Sequence, residues 1–260
     1  MRTAIISDIH SNLSALEAVL ADIDQRKVQR IICLGDLIGY GPDPVACADL
    51  VAERCEWSLL GNHDFGVLYE PTNFNSAAEQ AAYWTRRQFE AAAKEDTIAG
   101  ERRWNFLGHL KVRVNDNNYL CVHGSPRRPI NEYLFPDDAI NNPHKLESIF
   151  GRFDRMCLVG HTHHPGVFTE DQEFWKPDEL PDRTFSVDPV QKAIINPGSV
   201  GQPRDGDPRA SYAILDTDAG EDKHRIEFHR LPYDIDITVA KIHAIPELHD
   251  WLGDRLLEGR

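Results

Sequence analysis

Apolar residues in the first sixty positions alternate between short runs and a helical spacing. Residues 3–7, 30–34 and 57–60 are short apolar runs bounded by polar residues, which predicts buried strands. Between them, residues 13–26 and 44–54 have apolar positions three and four residues apart, which predicts helices. This βαβαβ order favours a largely parallel sheet covered by helices.

Two local signals refine these helices. Ser14 and Glu17 have the spacing of a capping box, which predicts the start of the first helix close to Ser14. Pro44 has the position of a first helical residue, where its missing N–H costs nothing.

The pattern is less regular after residue 70. Residues 77–94 are rich in Ala and Gln and predict a helix, and residues 246–257 predict a terminal one. Asn115-Asp-Asn-Asn118 is a hairpin signal between two short apolar runs. The further predicted strands are 110–114, 119–122, 156–159, 166–169, 193–195, 211–215 and 225–229.

No internal repeat or linker divides the chain, so we expect one α/β domain over residues 1–260. Residues 170–190 are polar, acidic and broken by Pro177, Pro181 and Pro189, which predicts an excursion or flap.

Composition excludes several classes of protein. The 260 residues are 41% hydrophobic and 27% charged, which is typical of a folded globular chain. The net charge of −14 gives no general attraction for nucleic-acid backbones or anionic membranes. No window approaches the ~20 apolar residues of a membrane span, and no secretory leader pattern follows Met1. Five scattered cysteines without a CxxC pair make a reducing cytoplasm the expected location.

Polar side chains with metal-binding chemistry follow five of the predicted strands. Because carboxyl ends of strands converge on one crevice in open α/β sheets, these residues are expected to meet there. They are Asp8, His10, Asp36, Asn62, His63, Asp64, His123, His161 and His163.

A cluster of this kind needs a cation, because its carboxylates and imidazoles would otherwise repel one another or stay unpaired. Mixed His and Asp ligands suit Mn²⁺, Fe, Zn²⁺ or Ni²⁺ better than Ca²⁺ or Mg²⁺. The set is too large for one ion. We therefore expect two divalent ions ~3.5–4 Å apart that share one carboxylate.

The same motifs resemble those of the calcineurin-like metallophosphoesterases. They are Asp8-x-His10, Gly35-Asp36, Gly61-Asn62-His63-Asp64, His123-Gly124 and Gly160-His161-x-His163, and Asn196-Pro-Gly-Ser-Val-Gly201 resembles a segment of small bacterial members. The resemblance implies a four-layer α/β/β/α sandwich of two mixed sheets. It also implies one ion held by Asp8, His10 and His163, a second held by Asn62, His123 and His161, and Asp36 as the bridge.

A water between two such ions would be hydroxide near neutral pH and would attack phosphorus in line with the leaving oxygen. His63, next to Asn62, is expected to act as general acid to the leaving group. Asp64 is expected to orient the His63 ring and to favour its protonated form.

The substrate is less well defined. Asp36 is followed by Leu37, so the Asp-Arg pair of protein serine/threonine phosphatases is absent. Tyr40 either stacks on a base or packs under a loop. Arg127 and Arg128 form either a phosphate clamp or a solvated basic pair, and Arg204 is a third candidate for phosphate binding.

These observations predict a dimetal phosphodiesterase acting on small molecules or nucleotides. A phosphomonoesterase or nucleotide phosphatase on the same core is an alternative, and so is a non-catalytic metal-binding scaffold. A partner that is a nucleic-acid polymer or a membrane is not expected, and the sequence leaves the oligomeric state open.

Overall fold

A computed structural model describes residues 1–116, 119–188, 190–218 and 224–260. Its strands, in chain order, are β1 (Arg2–Ile6), β2 (Arg30–Cys33), β3 (Trp57–Ser58), β4 (Arg113–Asp116), β5 (Tyr119–Val122), β6 (Met156–Leu158), β7 (Gly166–Thr169), β8 (Phe174–Trp175), β9 (Thr184–Val187), β10 (Ala193–Asn196), β11 (Ala210–Asp216) and β12 (His224–Leu231). Its α-helices are α1 (Leu13–Gln25), α2 (Pro44–Arg54), α3 (Asn62–Leu68), α4 (Ser76–Glu95), α5 (Thr97–Gly108), α6 (Asp138–Asn141), α7 (Pro143–Phe150), α8 (Ile235–His243) and α9 (Trp251–Glu258).

The strands form two mixed sheets. The first has the order β3-β2-β1-β11-β12-β9, in which β1, β2 and β3 are parallel and the other neighbours are antiparallel. The second has the order β4-β5-β6-β10-β7-β8, with β5, β6 and β10 parallel. Two mixed sheets were the architecture implied by the resemblance, and they are confirmed. The largely parallel sheet predicted from the βαβαβ order is correct only for β1, β2 and β3.

Successive side chains of each strand point to opposite faces of its sheet and contribute to three apolar layers. In β1, Ala4 and Ile6 belong to the cluster that includes the buried face of α1, whereas Ile5 belongs to the cluster shared by the two sheets. A third cluster joins Leu120 and Val122 of β5 to α7. Because both faces of both sheets are covered, the fold has the layer order helix, sheet, sheet, helix.

The first helix begins differently from the prediction. Its N-cap is Asn12, whose side-chain oxygen accepts a hydrogen bond from Ala15 N at 3.2 Å. Ser14 already lies inside α1, so the capping box predicted at Ser14 and Glu17 is wrong. Asn12 is the better cap because its amide is also fixed by the carbonyl of Gly201, at 2.8 Å.

Residues 170–188 connect the two sheets. β8 pairs with β7 in the second sheet, and β9 pairs with β12 in the first. Two short 3₁₀-helices, Pro177–Glu179 and Pro181–Arg183, lie between them. The predicted excursion is therefore a connection held at both ends by strand pairing, and its third proline, Pro189, lies outside the described residues.

Other predictions differ mainly at their ends. The terminal helix begins at Trp251 rather than at residue 246. Five helices, α3, α5, α6, α7 and α8, and two strands, β8 and β9, were not predicted. β4 and β5 pair as expected for a hairpin, although residues 117–118 of its turn lie outside the described residues.

All five cysteines are free thiols. In the described part of the chain, no helix has the length and apolar character needed to cross a membrane. A single domain over residues 1–260 stays a prediction.

Candidate metal centre

The loops after the predicted strands are hydrogen-bonded to one another. Ile9 N and His10 N both donate to the carbonyl of Asp36, at 2.8 and 3.0 Å. The loop after β6 joins them, because His161 N donates to both carboxylate oxygens of Asp8, at 3.1 and 3.2 Å. Gly160 N donates to the carbonyl of His123 at 2.8 Å, which brings the loop after β5 to the same place.

The backbone of these loops adopts an unusual conformation. Positive φ angles near 50–70° recur at residues that are not glycine, although they are costly for L-residues. Those at this edge of the sheets are Asp8, His10, Ser11, Asp36, Tyr40, His161 and His163. The hydrogen bonds between the loops hold this conformation, and strain of this kind is typical of functional sites.

Two glycines allow the loops to approach closely. A Cβ atom on Gly61 would overlap the carboxylate of Asp36, and one on Gly160 would overlap the side chain of Ser7. The glycines of the Gly-Asn-His-Asp and Gly-His-Thr-His motifs therefore make room for the polar side chains of the neighbouring loops.

Four buried residues form a first group of candidate ligands. Asp8, His10, Asp36 and His163 each offer an atom within 4.8 Å of the others. His163 Nε2 lies 3.2 Å from Asp8 Oδ1 and 3.1 Å from His10 Nε2. His10 Nε2 lies 3.6 Å from Asp36 Oδ2.

A second group contains Asp36 again, together with His123 and His161. His123 Nε2 lies 3.3 Å from Asp36 Oδ2 and 3.3 Å from Asn62 Oδ1. Asp36 therefore belongs to both groups. The structure brings together all seven residues predicted as metal ligands.

Backbone carbonyls orient two of the imidazoles. His163 Nδ1 contacts the carbonyl of Gln202 at 2.5 Å, and His123 Nδ1 contacts that of Leu34 at 2.9 Å. A carbonyl accepts only from N–H, so each Nδ1 carries a proton. In the neutral ring each Nε2 then presents a lone pair to the cluster, as metal-binding histidines do.

The charges of the cluster are unbalanced without a cation. Burial raises the pKa of Asp36, but interactions with the neighbouring imidazoles, chiefly the charge and hydrogen bond of His123, outweigh it and hold the pKa well below its ordinary value. Burial lowers the pKa of His123, yet Asp36 and Asp8 together raise it to about 9. Burial lowers the pKa of His161 to about 3 and that of His10 well below the usual value. Two carboxylates thus face one imidazolium in a buried site.

The donor set fits divalent metal ions. Within the described residues, His10 Nδ1 and His161 Nε2 are buried and have no hydrogen-bond partner. The Nε2 atoms of His10 and His163 are 3.1 Å apart, a separation at which both nitrogens can ligate the same ion. The imidazole nitrogens and carboxylate oxygens match the ligand preference of Mn²⁺, Fe, Zn²⁺ or Ni²⁺.

His63 lies beside the cluster, in the first turn of α3. Its backbone N–H donates to Asp36 Oδ1 at 2.8 Å, and its ring meets that of His10 edge to face, with centroids 4.8 Å apart. Burial lowers the pKa of His63 to about 4, so the ring is neutral at pH 7 in the metal-free protein. The expected protonated form is therefore not maintained by the protein alone.

Asp64 has a different role from the one predicted. Its carboxylate accepts backbone N–H groups from Asp36, Leu37, Ile38 and Gly61, at 2.8 to 3.2 Å. Those bonds account for both oxygens and hold the Asp36 loop against α3. The prediction that Asp64 orients the His63 ring and favours its protonated form is wrong, because Asp64 binds backbone instead.

Tyr40 is buried against the imidazoles. Its ring centroid lies 4.2 Å from that of His63 and 4.9 Å from that of His10. Of the two interpretations of Tyr40, packing agrees with the structure. Gly39 next to it has a φ of +89°, which lets the chain turn sharply over His63.

The three candidate arginines differ in their partners. Arg127 forms an ion pair with Glu132. Arg204 donates to Gln202 Oε1 at 2.7 Å, and its guanidinium lies 5.9 Å from the Tyr40 ring. Among the described residues, neither Arg128 nor Arg204 has a carboxylate within ion-pair distance.

A cleft of about 580 Å³ opens beside the second group. Asn62 and His161 of the candidate centre line it, together with Arg128, Phe74 and Tyr133. Sequence reasoning missed both aromatic residues, since neither lies in a recognisable motif.

Sequence reasoning also missed the residues that hold the loops in place. Asn196 Nδ2 donates to the carbonyl of Gly160 and to Thr162 Oγ1, both at 2.9 Å. Ser199 Oγ donates to the carbonyl of Asp8 at 2.7 Å. The Asn196-Pro-Gly-Ser segment was the available signal, and its contacts show that it joins the loops of both sheets.

This fold and this cluster define a known class of protein. A family model described as the calcineurin-like phosphoesterase superfamily domain matches residues 1–220, and the chain belongs to that family. An uncharacterized protein of Methanocaldococcus jannaschii, MJ0912, is 38% identical over 266 residues, which cover 99% of this chain and 98% of that protein.

Two solved structures share the whole fold. A metallophosphoesterase from Sphaerobacter thermophilus is 39% identical, with a TM-score of 0.81 over 100% of this chain and 99% of that one. The hypothetical protein PH1004 from Pyrococcus horikoshii has a TM-score of 0.74 at 18% identity, over 100% and 98% of the two chains. The second likeness concerns the fold alone.

Proposed function

We propose that this protein hydrolyses phosphate esters at a pair of divalent metal ions, and that it prefers phosphodiesters of small molecules or nucleotides. The observation that carries the proposal is the position of Asp36, whose carboxylate belongs to two adjacent groups of buried ligands. Family membership supports the reaction class, and the Sphaerobacter relative is described as a metallophosphoesterase.

The ligands divide between the two ions. Asp8, His10 and His163 would hold one ion. Asn62, His123 and His161 would hold the other, with Asp36 between them. When bound, the ions would lower the pKa of a water molecule between them and offset the negative charge of the phosphoryl group.

Arg128 and Arg204 would bind the phosphoryl oxygens. Guanidinium groups match phosphate in a bidentate manner, and these two lack a carboxylate partner among the described residues. Arg204 is fixed through the side chain of Gln202, whose carbonyl also contacts His163. Gln202 therefore connects Arg204, a proposed phosphate-binding residue, to His163, a candidate metal ligand.

His63 would donate a proton to the leaving oxygen. The charge of Asp36 already raises the pKa of His63, although burial outweighs it. A phosphate anion next to the ring would act in the same direction as Asp36 and favour the protonated form. Tyr40 keeps the ring in place through a tilted contact, with ring centroids 4.2 Å apart.

The test compares two esters after metal loading. The protein is stripped with a chelator and reloaded with Mn²⁺, and its rates on bis(4-nitrophenyl) phosphate and 4-nitrophenyl phosphate are measured. We expect turnover that depends on Mn²⁺ and is faster with the diester. A faster monoester would favour the phosphomonoesterase alternative. No turnover above a metal-only blank with Mn²⁺, Fe²⁺, Zn²⁺ or Ni²⁺ would favour the scaffold.

The arginines supply a matched pair of variants for the same assay. Arg128→Gln is expected to raise KM for the diester by about tenfold, because it removes one charge-assisted contact to phosphate. Arg127→Gln removes a neighbouring charge that is already paired with Glu132, and its KM should stay close to that of the wild type.

A cytoplasmic location, and partners limited to small phosphate esters, belong to the same proposal.

A further inference from the structure

The cleft next to the candidate centre has the size and chemistry of an organic-group subsite. Its volume of about 580 Å³ lies in the range of small-molecule sites. Asn62 and His161 form part of its lining, and both are ligands in the proposed function on which this inference rests. A phosphoryl group held at the ions would therefore have one of its ester groups within reach of the cleft.

Two aromatic rings in the lining are packed on histidines of the centre. Tyr133 lies on His161, with centroids 3.8 Å apart and planes 20° from parallel, and Phe135 is stacked against the same ring with centroids 5.2 Å apart. The residue remains 40% exposed. Phe74 lies on His63, with centroids 4.5 Å apart. The positions of both rings are thus fixed relative to the place where phosphorus would be bound.

The polar groups of the lining are mostly uncharged. Asn73, Asn131 and Thr72 offer amides and a hydroxyl, and Arg128 is a cation. Within the described part of the chain, no carboxylate lines this cleft. Amides paired with aromatic surface match a flat group that has both hydrogen-bond donors and acceptors on its edge.

A second cleft of about 640 Å³ near Arg204 is much more strongly charged. Its lining includes three cations, Lys176, Arg204 and Arg230, and five carboxylates, namely Asp137, Asp178, Glu179, Asp205 and Asp207. A neutral flat ring would have to displace water from these charges, which is unfavourable. The two clefts are similar in size, so their chemistry decides which one suits an aromatic group.

We infer that the cleft beside Asn62 and His161 binds a planar heteroaromatic group of the substrate, such as a nucleobase, and that Tyr133 determines specificity for it. Tyr133 supplies the part of its ring that His161 and Phe135 leave exposed at the edge of the cleft. Asn73 and Asn131 supply hydrogen bonds to the edge of the bound ring.

The test measures binding of two analogues that differ only in the base. Uridine 5′-phosphonate and the 5-phosphonate of 1-O-methylribose carry a carbon–phosphorus bond in place of the ester, so neither is hydrolysed there. Calorimetry on the Mn²⁺-loaded protein gives a Kd for each. Base stacking and its hydrogen bonds are expected to make the uridine analogue bind roughly tenfold more tightly. A Kd ratio close to one would overturn the inference.

Variants identify the residue responsible. Tyr133→Leu should reduce the Kd ratio towards one, whereas Tyr133→Phe should retain it because the ring remains. Tyr83→Leu is the matched control, since Tyr83 has a similar exposure of 39% but lies on α4 outside the cleft lining, and it should leave the ratio unchanged. An equal loss of affinity for both analogues in Tyr133→Leu would mean that the ring only positions His161, and the specificity role would be wrong.

The outcomes separate the inference from the proposed function. Hydrolysis of bis(4-nitrophenyl) phosphate with a Kd ratio near one would refute the subsite alone. A high Kd ratio without metal-dependent hydrolysis would refute the proposed reaction and leave the subsite intact.

Discussion

Asp36 joins three parts of the candidate site through one carboxylate. Its Oδ2 lies 3.3 Å from His123 Nε2 and 3.6 Å from His10 Nε2, and its Oδ1 accepts the N–H of His63 at 2.8 Å. One oxygen therefore faces both ligand groups while the other fixes the first turn of α3. Asp64 completes this arrangement by binding the backbone N–H of Asp36 at 2.8 Å.

His63→Ala tests proton donation at the residue scale. Loss of the donor should lower kcat by about 10²-fold or more on an alkyl ester, whose leaving oxygen needs a proton. The loss on a 4-nitrophenyl ester should be much smaller, because nitrophenolate leaves without one. Steady-state rates on both esters, with metal content measured in the same samples, provide the comparison. An equal loss on the two esters would show that His63 is not a proton donor.

At this scale the sequence is informative about side chains and uninformative about backbone atoms. Every candidate ligand follows a strand, so its type and position were visible. The carbonyls of Leu34 and Gln202 that orient the imidazoles have no signature, because every residue has a carbonyl. The role of Asp64 was misjudged because an adjacent ring was assumed to be its partner, whereas the folded loop offers four N–H groups.

At the scale of elements, the start of α1 connects helix and site. Asn12 caps the helix and also donates to the carbonyl of Gly201 at 2.8 Å and to Tyr233 Oη at 3.1 Å. The hydroxyl of Thr238 in α8 donates to Asn12 Oδ1, the oxygen that caps α1, at 2.9 Å. The cap therefore links α1, α8 and the loop after β10.

Two substitutions at this helix start have contrasting expected effects. Asn12→Ala should lower the free energy of unfolding by about 2 kcal/mol, because it removes a cap and leaves buried partners unsatisfied. Ser14→Ala should change it by less than about 0.5 kcal/mol, since Ser14 lies within α1 and α1 is already capped by Asn12. Urea unfolding of both variants measures this. A larger effect of Ser14→Ala would restore the capping box as the start of the helix.

The connection between the sheets shows the limit of local patterns for whole elements. Pro177 and Pro181 were visible as breaks, and each begins a 3₁₀-helix. The pairing of β9 with β12 joins residues about forty positions apart, as in Glu227 opposite Thr184. Local periodicity contains no information on such a distant partner, so the segment was expected to be a flap.

The whole molecule combines parallel and antiparallel pairing in each sheet. β1 lies between β2, its parallel neighbour, and β11, its antiparallel one. The order of elements predicted the first pairing, and only the resemblance to a family predicted that both sheets are mixed. The order of strands in a sheet depends on pairing between segments far apart in the sequence, whereas the strand character of a segment depends on its local sequence.

Acid should destabilise the whole molecule partly through His229. Its ring stacks on Tyr212 with centroids 4.9 Å apart, and burial together with the charge of Arg26 lowers its pKa to about 4. The unfolded chain takes up this proton near pH 6.5, so stability is present above that pH and is lost as the pH falls towards 4.

His229→Gln should therefore flatten the pH dependence of unfolding. Between pH 7 and 4, the metal-free variant should lose on the order of 1 kcal/mol less stability than the metal-free wild type. Urea unfolding at several pH values gives both curves. Parallel curves would mean that His229 does not contribute to acid sensitivity.

The most direct test of the shared metal centre is the number of ions bound per chain. Chelator-treated wild type and Asp36→Asn are titrated with Mn²⁺ in a calorimeter, and the metal retained after gel filtration is counted. We expect two ions per chain in the wild type and fewer than two in Asp36→Asn, because the amide removes the charge that both groups of ligands share. One ion or none in the wild type, or two ions retained by the variant, would contradict a centre built around Asp36.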